Sequence, residues 1–391
     1  MAINLKLISR LIGLNALTFS EGEFKIWNVA MMFFPYQMTA FIQHEFEEKF
    51  GKKARDILYY IGKLQAYNGT MLMIKQFGIK NPESMYDLFG EQAAMVGVGR
   101  FQITSIDAKN KHIVVECKNN PYMTEYIRTY GQTGTFSDDY LRGLVAGAAE
   151  AAFGGDLVAI ETKCIAKGDD HCVIEINEKT KWDLKNPLVK EQMPSDMVDY
   201  HGMLKKLQLT TLMKSNISYG EIASNFFKTK KVKFGEDGKF YLMDVAGMSM
   251  PMDTCVMFIN TFNKFFGDDG KKILYEAGEL LAKTLMKEKP LSVSQLNLTL
   301  SNWQTFGFGH LEVIRCDEKA QVCQTKLSNH VFAKHYKKIF GIQKIPVDSF
   351  MPGLVNGVLE IFHERKLSTR ETQCTMQGKS EFCYFETTAK N

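Results

Sequence analysis

The sequence predicts an α/β protein made of two tandem homologous α+β domains, each a small antiparallel sheet packed by helices. The first observation behind this is repetition at the scale of a whole domain. Residues 24–35 (FKIWNVAMMFFP) align without a gap on 240–251 (FYLMDVAGMSMP), and 50–66 align on 266–282 at the same offset of 216, keeping Gly51/Gly267 and Gly62/Gly278. The offset then becomes 210, pairing Gly97/Gly307, Asp107/Asp317, Tyr126/Tyr336, Gly131/Gly341, Gly143/Gly353, Glu161/Glu371 and Cys164/Cys374. The second observation is that helical and strand periodicities alternate in the same order within each copy. The third is length: 391 residues supply two hydrophobic cores of ordinary size. The expected boundaries are 1–180 for the first domain, 181–216 for a linker broken by Pro187 and Pro194, and 217–391 for the second domain.

Each copy is expected to open with antiparallel strands, because acidic-Gly turns (Glu21-Gly22-Glu23 and Asp237-Gly238-Lys239) precede the apolar stretches ending in Pro35 and Pro251. Residues 37–50 and 53–76 carry apolar side chains at three- and four-residue spacing, as do 253–266 and 270–287, which predicts helices. A hairpin follows, over 96–105 and 111–118 and again over 306–315 and 320–327. Two more helical segments come next. One bears Tyr122, Tyr126 and Tyr130, mirrored by Phe332, Tyr336 and Phe340, a spacing that places three rings on one face as core packing or as the wall of a pocket. The other, 140–153 (YLRGLVAGAAEAAF), is so rich in Gly and Ala that another backbone must approach it closely. A second hairpin closes each copy.

Composition excludes several classes. A hydrophobic content of 45% with 24% charged residues is that of a soluble globular protein, and no apolar run approaches the ~20 residues of a membrane span. The N-terminal 24 residues lack a convincing cleavage site and are read as an amphipathic helix, not a signal peptide. Net charge is only +4, and the one basic run, 228–233 (KTKKVK), reads as a solvated turn, so no nucleic-acid partner is expected. Four of the eight cysteines recur between the copies, whereas Cys117, Cys255, Cys316 and Cys323 do not, which argues against a duplicated disulfide framework and for reduced thiols in a cytoplasm. No phosphate-binding loop, GxSxG elbow or HExxH occurs, and the scattered histidines, such as His201 and His310, are read as ordinary surface or core residues, so no catalytic residue is assigned.

What recurs in register is a set of candidate metal ligands: Asp138, Glu161, Cys164 and Cys172 in the first copy, and Asp348, Glu371, Cys374 and Cys383 in the second. Thiolate sulfur and carboxylate oxygen together suit a tetrahedral zinc, and four protein ligands leave no open position, which implies a structural role. The turn Lys167-Gly168-Asp169-Asp170 would bring Cys164 and Cys172 together. Glu161, three residues from Cys164, would face the other side of a regular strand, so a bulge or strand end must redirect it. The alternative reading makes the cysteines small buried apolar residues, the two aspartates helix N-caps and Glu161 a surface charge.

At this hairpin, ETKCIAKGDDHCVIEI and ETQCTMQGKSEFCYFE resemble the closing signature of the 4-vinyl reductase (hydrocarbon-binding) domain, and the 50–62 and 143–154 stretches resemble it too, so the likeness covers about 22–178 and 238–388. The resemblance implies a fold shared with TRAPP core subunits and related to nitric-oxide-sensing haem domains. In aromatic-sensing members a zinc is held by Cys, Glu, Cys and Cys. Three of these fall on Glu161, Cys164 and Cys172, while Asp138 and Asp348 stand where the leading Cys would be. The haem domains' Tyr-x-Ser-x-Arg motif is absent, so haem is not expected. The implied function is a non-enzymatic sensor that encloses a small apolar or aromatic ligand, an interior the 28 Phe and 21 Met would suit, and that acts through a protein partner since the chain closes at Asn391. A scaffold of the TRAPP type is the other implied class, and a tetrapyrrole vinyl reductase the weakest. Related domains pair two by two, so an internal pseudo-dimer or a homodimer is expected.

Overall fold

The computed structural model describes residues 17–20, 22–26, 29–211, 232–235, 238–286, 288–317 and 322–390. The expected N-terminal helix, most of the basic run 228–233, the end of the expected linker and the turn residues Glu21, Asp237, Glu318 and Lys319 lie outside these.

In the first half, strands β1 (Leu17–Ser20), β2 (Glu23–Ile26) and β3 (Val29–Pro35) form an antiparallel meander. Helices α1 (Tyr36–Phe50) and α2 (Lys52–Phe77) follow, parted by Gly51, whose φ of 55° an L side chain rarely adopts. After α3 (Pro82–Met95) come β4 (Arg100–Asp107), β5 (His112–Asn119), α4 (Pro121–Tyr130), α5 (Asp139–Phe153), β6 (Leu157–Lys163) and β7 (Cys172–Glu178), with α6 (Pro187–Gln192) and α7 (Tyr200–Thr211) beyond. The second half runs β8 (Val232–Phe234), β9 (Phe240–Leu242), β10 (Val245–Pro251), α8 (Met252–Leu285), α9 (Val293–Trp303), β11 (His310–Asp317), β12 (Val322–Ser328), α10 (Val331–Phe340), α11 (Phe350–His363), β13 (Leu367–Gln373) and β14 (Phe382–Ala389). Helix α8 breaks at Gly267 (φ 54°), the counterpart of Gly51. Each half thus contains a four-stranded antiparallel sheet, in the order β4-β5-β7-β6 or β11-β12-β14-β13, packed by helices. The mixed α/β fold is the one the sequence predicts.

Two helices within the repeats were not foreseen. Asn81 caps α3, accepting from the Ser84 backbone N–H at 3.0 Å, and Ser292 caps α9, accepting from the Gln295 N–H at 3.2 Å. Both caps were readable in the sequence. The first hairpin of each half lies two to four residues further along than periodicity placed it.

Among the described residues, one compact unit gathers 43–211 with β8, β9 and most of β10. The other gathers β1–β3, the start of α1 and 250–390. Each unit therefore draws its opening strands from the opposite half of the sequence. In the first unit the Ser249 N–H donates to the Val96 carbonyl at 2.8 Å. In the second, the Gly309 N–H donates to the Gly22 carbonyl at 3.0 Å and the Phe33 and Phe306 rings lie 5.3 Å apart.

The helix pair under each sheet packs through glycine. A Cβ on Gly143 would come 1.9 Å from the Tyr59 carbonyl oxygen, and one on Gly353 equally close to that of Tyr275. This is the close backbone approach that the Gly/Ala-rich segment predicts. The segment 181–211 packs on the first unit: Val189 joins Val158 and Ile160, and buried Gln192 exchanges two hydrogen bonds of 2.8 Å with the backbone of Glu161. Six of the eight cysteines are free and buried; Cys316 and Cys323, directly opposite on β11 and β12, form a disulfide, where the sequence had led us to expect reduced thiols.

Candidate metal centres

In the first half the pairing of β6 with β7 shifts between Glu161 and Lys163, which is the bulge needed to redirect Glu161. Cys164 ends the strand in a single 3-10 turn, Ile165–Lys167, closed by Gly168 at φ 108°, and the chain returns to Cys172 at the head of β7. Ligand atoms of Glu161, Cys164 and Cys172 all lie within 4.8 Å of one another, and all three residues are fully buried. Asp138, just before α5, makes no capping bond; its Oδ2 lies 4.0 Å from Cys172 Sγ and accepts from the Asn120 side-chain amide. Cys117 stands opposite Cys172 across the sheet, but its thiol is directed to the Asn119 carbonyl at 3.4 Å.

The second half repeats the bulge, between Glu371 and Gln373, and the turn, Thr375–Gln377 closed by Gly378. Its cluster differs in membership: His330, Glu371, Cys374 and Cys383 offer four ligand atoms within 4.8 Å. His330 Nδ1 lies 3.2 Å from Cys383 Sγ, and the two sulfurs are 3.6 Å apart. Asp348 is outside the four. Its Oδ1 caps α11 by accepting from the Phe350 and Met351 N–H groups at 2.8 and 3.2 Å, and its Oδ2 lies 3.2 Å from His330 Nε2. Such a carboxylate behind a metal-binding imidazole fixes its tautomer and orientation.

Electrostatics show how poorly these groups coexist without a cation. Both carboxylate oxygens of Glu161 and of Glu371, and Oδ1 of Asp138, have no hydrogen-bond partner and are sealed from solvent. Burial, then the Cys164 charge, pushes Glu161 and Asp138 well above the carboxylate range, and burial with the Cys383 charge lifts Glu371 to about 9. The Cys172 thiol hydrogen-bonds Cys164 and lowers it to about 6, while Cys172 itself is driven up. Cys374 does the same for Cys383, which falls to about 3. Burial pulls His330 down, but the Cys383 thiolate and Asp348 outweigh it and hold the imidazole at about 10. A divalent cation at the centre of either cluster would satisfy the orphaned oxygens and stabilise the thiolates together. The donor sets therefore fit a zinc-class ion.

His330 was missed. The signal lay in the repeat itself: at the 210-residue offset it replaces Asn120, immediately before the matching helix and next to the second cluster.

The aromatic stripe of α4 packs against α1. The Tyr122 hydroxyl donates to Gln43 Oε1, whose amide nitrogen donates to Glu47 Oε1 at 2.7 Å and to the Ser137 carbonyl at 2.5 Å; His44 stacks on Tyr130 at 3.8 Å. Burial, then the Asp139 charge, raises Glu47 to about 8. In the second half the matching stripe is Phe332, Tyr336 and Phe340, with a single polar contact from the Tyr336 hydroxyl to Asn260 Oδ1 at 2.8 Å.

Comparison with known proteins places a 4-vinyl reductase domain on residues 114–178, the stretch from β5 to β7 that contains Asp138, Glu161, Cys164 and Cys172. The family resemblance seen in the closing hairpin is borne out there. No curated protein matches the sequence. Similar solved structures include the phenol-responsive sensory domain of the transcription activator PoxR with phenol (15% identity, 50% of this chain and 100% of that one, TM-score 0.44). A vinyl-4-reductase family protein from Methanocaldococcus jannaschii is also similar (23% identity, 36% and 91%, TM-score 0.24). So is a trafficking protein particle complex subunit 3 from Naegleria fowleri covalently bound to palmitic acid (16% identity, 37% and 95%, TM-score 0.24). Among the described residues, no helix is long and apolar enough to cross a membrane.

Proposed function

We propose that this chain is a non-enzymatic, cytoplasmic binding protein of the sensor type, in which duplicated domains each use a structural zinc to lock the closing hairpin and signal through a partner protein. The observation that carries the reading is the buried second-half set His330, Glu371, Cys374 and Cys383, since one nitrogen, one oxygen and two sulfurs complete a tetrahedron and leave no position for a substrate. In the first half, Glu161, Cys164 and Cys172 would be joined by Asp138. Bound there, the ion would supply charge neutralisation and a cross-link between the two strands of the hairpin, and no bond-making chemistry.

With the metal closed to substrate, ligand binding falls to the helical layer. Gln43, Glu47, Tyr122 and Tyr126 combine buried rings with a few polar atoms, the composition of a site for a small aromatic or apolar molecule carrying a hydroxyl. The match to the 4-vinyl reductase domain supports this reading. A test is native mass spectrometry with elemental analysis, followed by calorimetric titration of the metal-loaded chain with phenol. Two zinc ions per chain and a heat of binding lost in Tyr122→Ala are expected; absence of zinc with freely titratable thiols, or no binding by a zinc-loaded chain, would overturn the respective half of the reading.

A scaffold role has one observation in its favour. Leu291, Leu298, Ile342 and Ile345, all in the second half, are each at least 66% exposed, a feature of protein-binding surfaces.

A further inference from the structure

The second half holds another group of ligand-type side chains, remote in sequence from the hairpin centre and independent of it. Cys316 and Cys323 face each other in register on β11 and β12, and His363, in the last turn of α11, brings Nε2 to 3.4 Å from Cys316 Sγ and 3.3 Å from Cys323 Sγ. Their ligand atoms lie within 4.8 Å of one another. Cys323 is buried, and Cys316 and His363 are half-buried, so the group is shielded yet reachable from solvent. At the 210-residue offset the first half has Ile106, Ile113 and Phe153, with Ile106 and Ile113 paired across β4 and β5 just as the cysteines are. Three apolar residues in one half thus correspond to two sulfurs and an imidazole in the other. Packing alone gives no reason for all three to change to metal-ligand types together.

We infer that Cys316, Cys323 and His363 form a thiol-gated zinc site. In the disulfide form the sulfurs are bonded to each other and the site is closed. A dithiol reductant delivers two electrons and two protons, becoming a disulfide itself, and leaves two thiols. Zn2+ then displaces both protons and takes two thiolates and the His363 imidazole, which leaves its fourth position open to water or an exogenous ligand. Redox state thereby decides whether the first hairpin of this half is cross-linked covalently or through an ion.

The test compares the full chain with the triple variant Cys316→Ile/Cys323→Ile/His363→Phe, which installs the first half's own side chains. Both are reduced with dithiothreitol, loaded with Zn2+ alone, exchanged into metal-free buffer and analysed for zinc. The wild type should retain one more zinc ion per chain than the variant, and that ion should be released once peptide mapping shows Cys316 and Cys323 joined. Equal zinc in the two reduced proteins, or retention of the extra ion after the disulfide has formed, overturns the inference. If the triple variant does not fold, His363→Phe alone serves: it keeps both cysteines and should form the disulfide normally, with extra zinc bound at least tenfold more weakly in the reduced state, whereas unchanged affinity overturns the site.

Discussion

The two closing hairpins share a bulge, a turn and a pair of cysteines, yet they present different chemistry because of one position. Where the first half has Asn120, an amide that donates to Asp138 and leaves that carboxylate beside the sulfurs, the second has His330, which takes a place among the donors and releases Asp348 to cap a helix and orient the imidazole. The first cluster is therefore carboxylate-rich and the second a neutral nitrogen with one carboxylate and two thiolates. With every acid ionised, the first carries one more negative charge than the second. A thiophilic ion suits the second set better, and the first is the more tolerant of other cations.

The largest way to break this contrast is to remove a sulfur. Cys383→Ala should lose one metal equivalent by elemental analysis and destabilise the second half by on the order of 5 kcal/mol in denaturant unfolding, because the ion's binding energy is folding energy. Cys172→Ala should cost less if the carboxylate-rich set binds more weakly.

The halves also differ in how their helices are tied. Buried Arg142 donates to Asp139, to the Ala159 carbonyl at 2.8 Å and to the Gln192 carbonyl at 3.1 Å; the second half has Pro352 in its place. Arg142→Ala strands the buried Asp139 and should cost about 3–5 kcal/mol in an unfolding titration. By contrast, Gly143→Ala and Gly353→Ala press on equivalent backbone contacts, so each should lose a similar ~1–3 kcal/mol.

Asp348→Asn sharpens the comparison at the metal itself. Loss of the carboxylate behind His330 should weaken zinc about 10–100-fold in a competition assay with a chelator, whereas a reading of Asp348 as a mere helix cap predicts a stability change with unaltered affinity.

The smallest effect is in pH. Glu47, at about 8 in the folded chain against 4.5 in the unfolded one, keeps a proton that the unfolded chain has lost. Stability should therefore fall as pH rises from about 4.5 to 8, and Glu47→Gln should flatten that slope in urea midpoints measured across the window. The second half, with Asn263 at the matching position, has no such dependence from this site.

Much of this was legible in the sequence because it is written in local spacing. Helical periodicity placed α1 and α2 within a residue or two of their ends, and the three-residue step from Glu161 to Cys164 demanded the bulge that β6 shows. The Gly/Ala run at 143–153 announced a close helix contact. What stayed hidden depends on long-range choice. An alignment of the halves reads the same whether β1–β3 dock on their own half or the other, so the exchange of opening strands left no trace. His330 was overlooked because a single histidine carries little weight until folding brings it to Cys383, and the Cys316–His363 contact joins a strand to the far end of a helix.

Zinc K-edge X-ray absorption on the purified, reduced chain tests the central claim most directly. Two sulfurs per ion at about 2.3 Å with two nitrogen or oxygen neighbours at about 2.0–2.1 Å are predicted, the sulfur shell falling when Cys374 and Cys383 are replaced. A shell of nitrogen and oxygen alone, or a spectrum unchanged by those replacements, would contradict it.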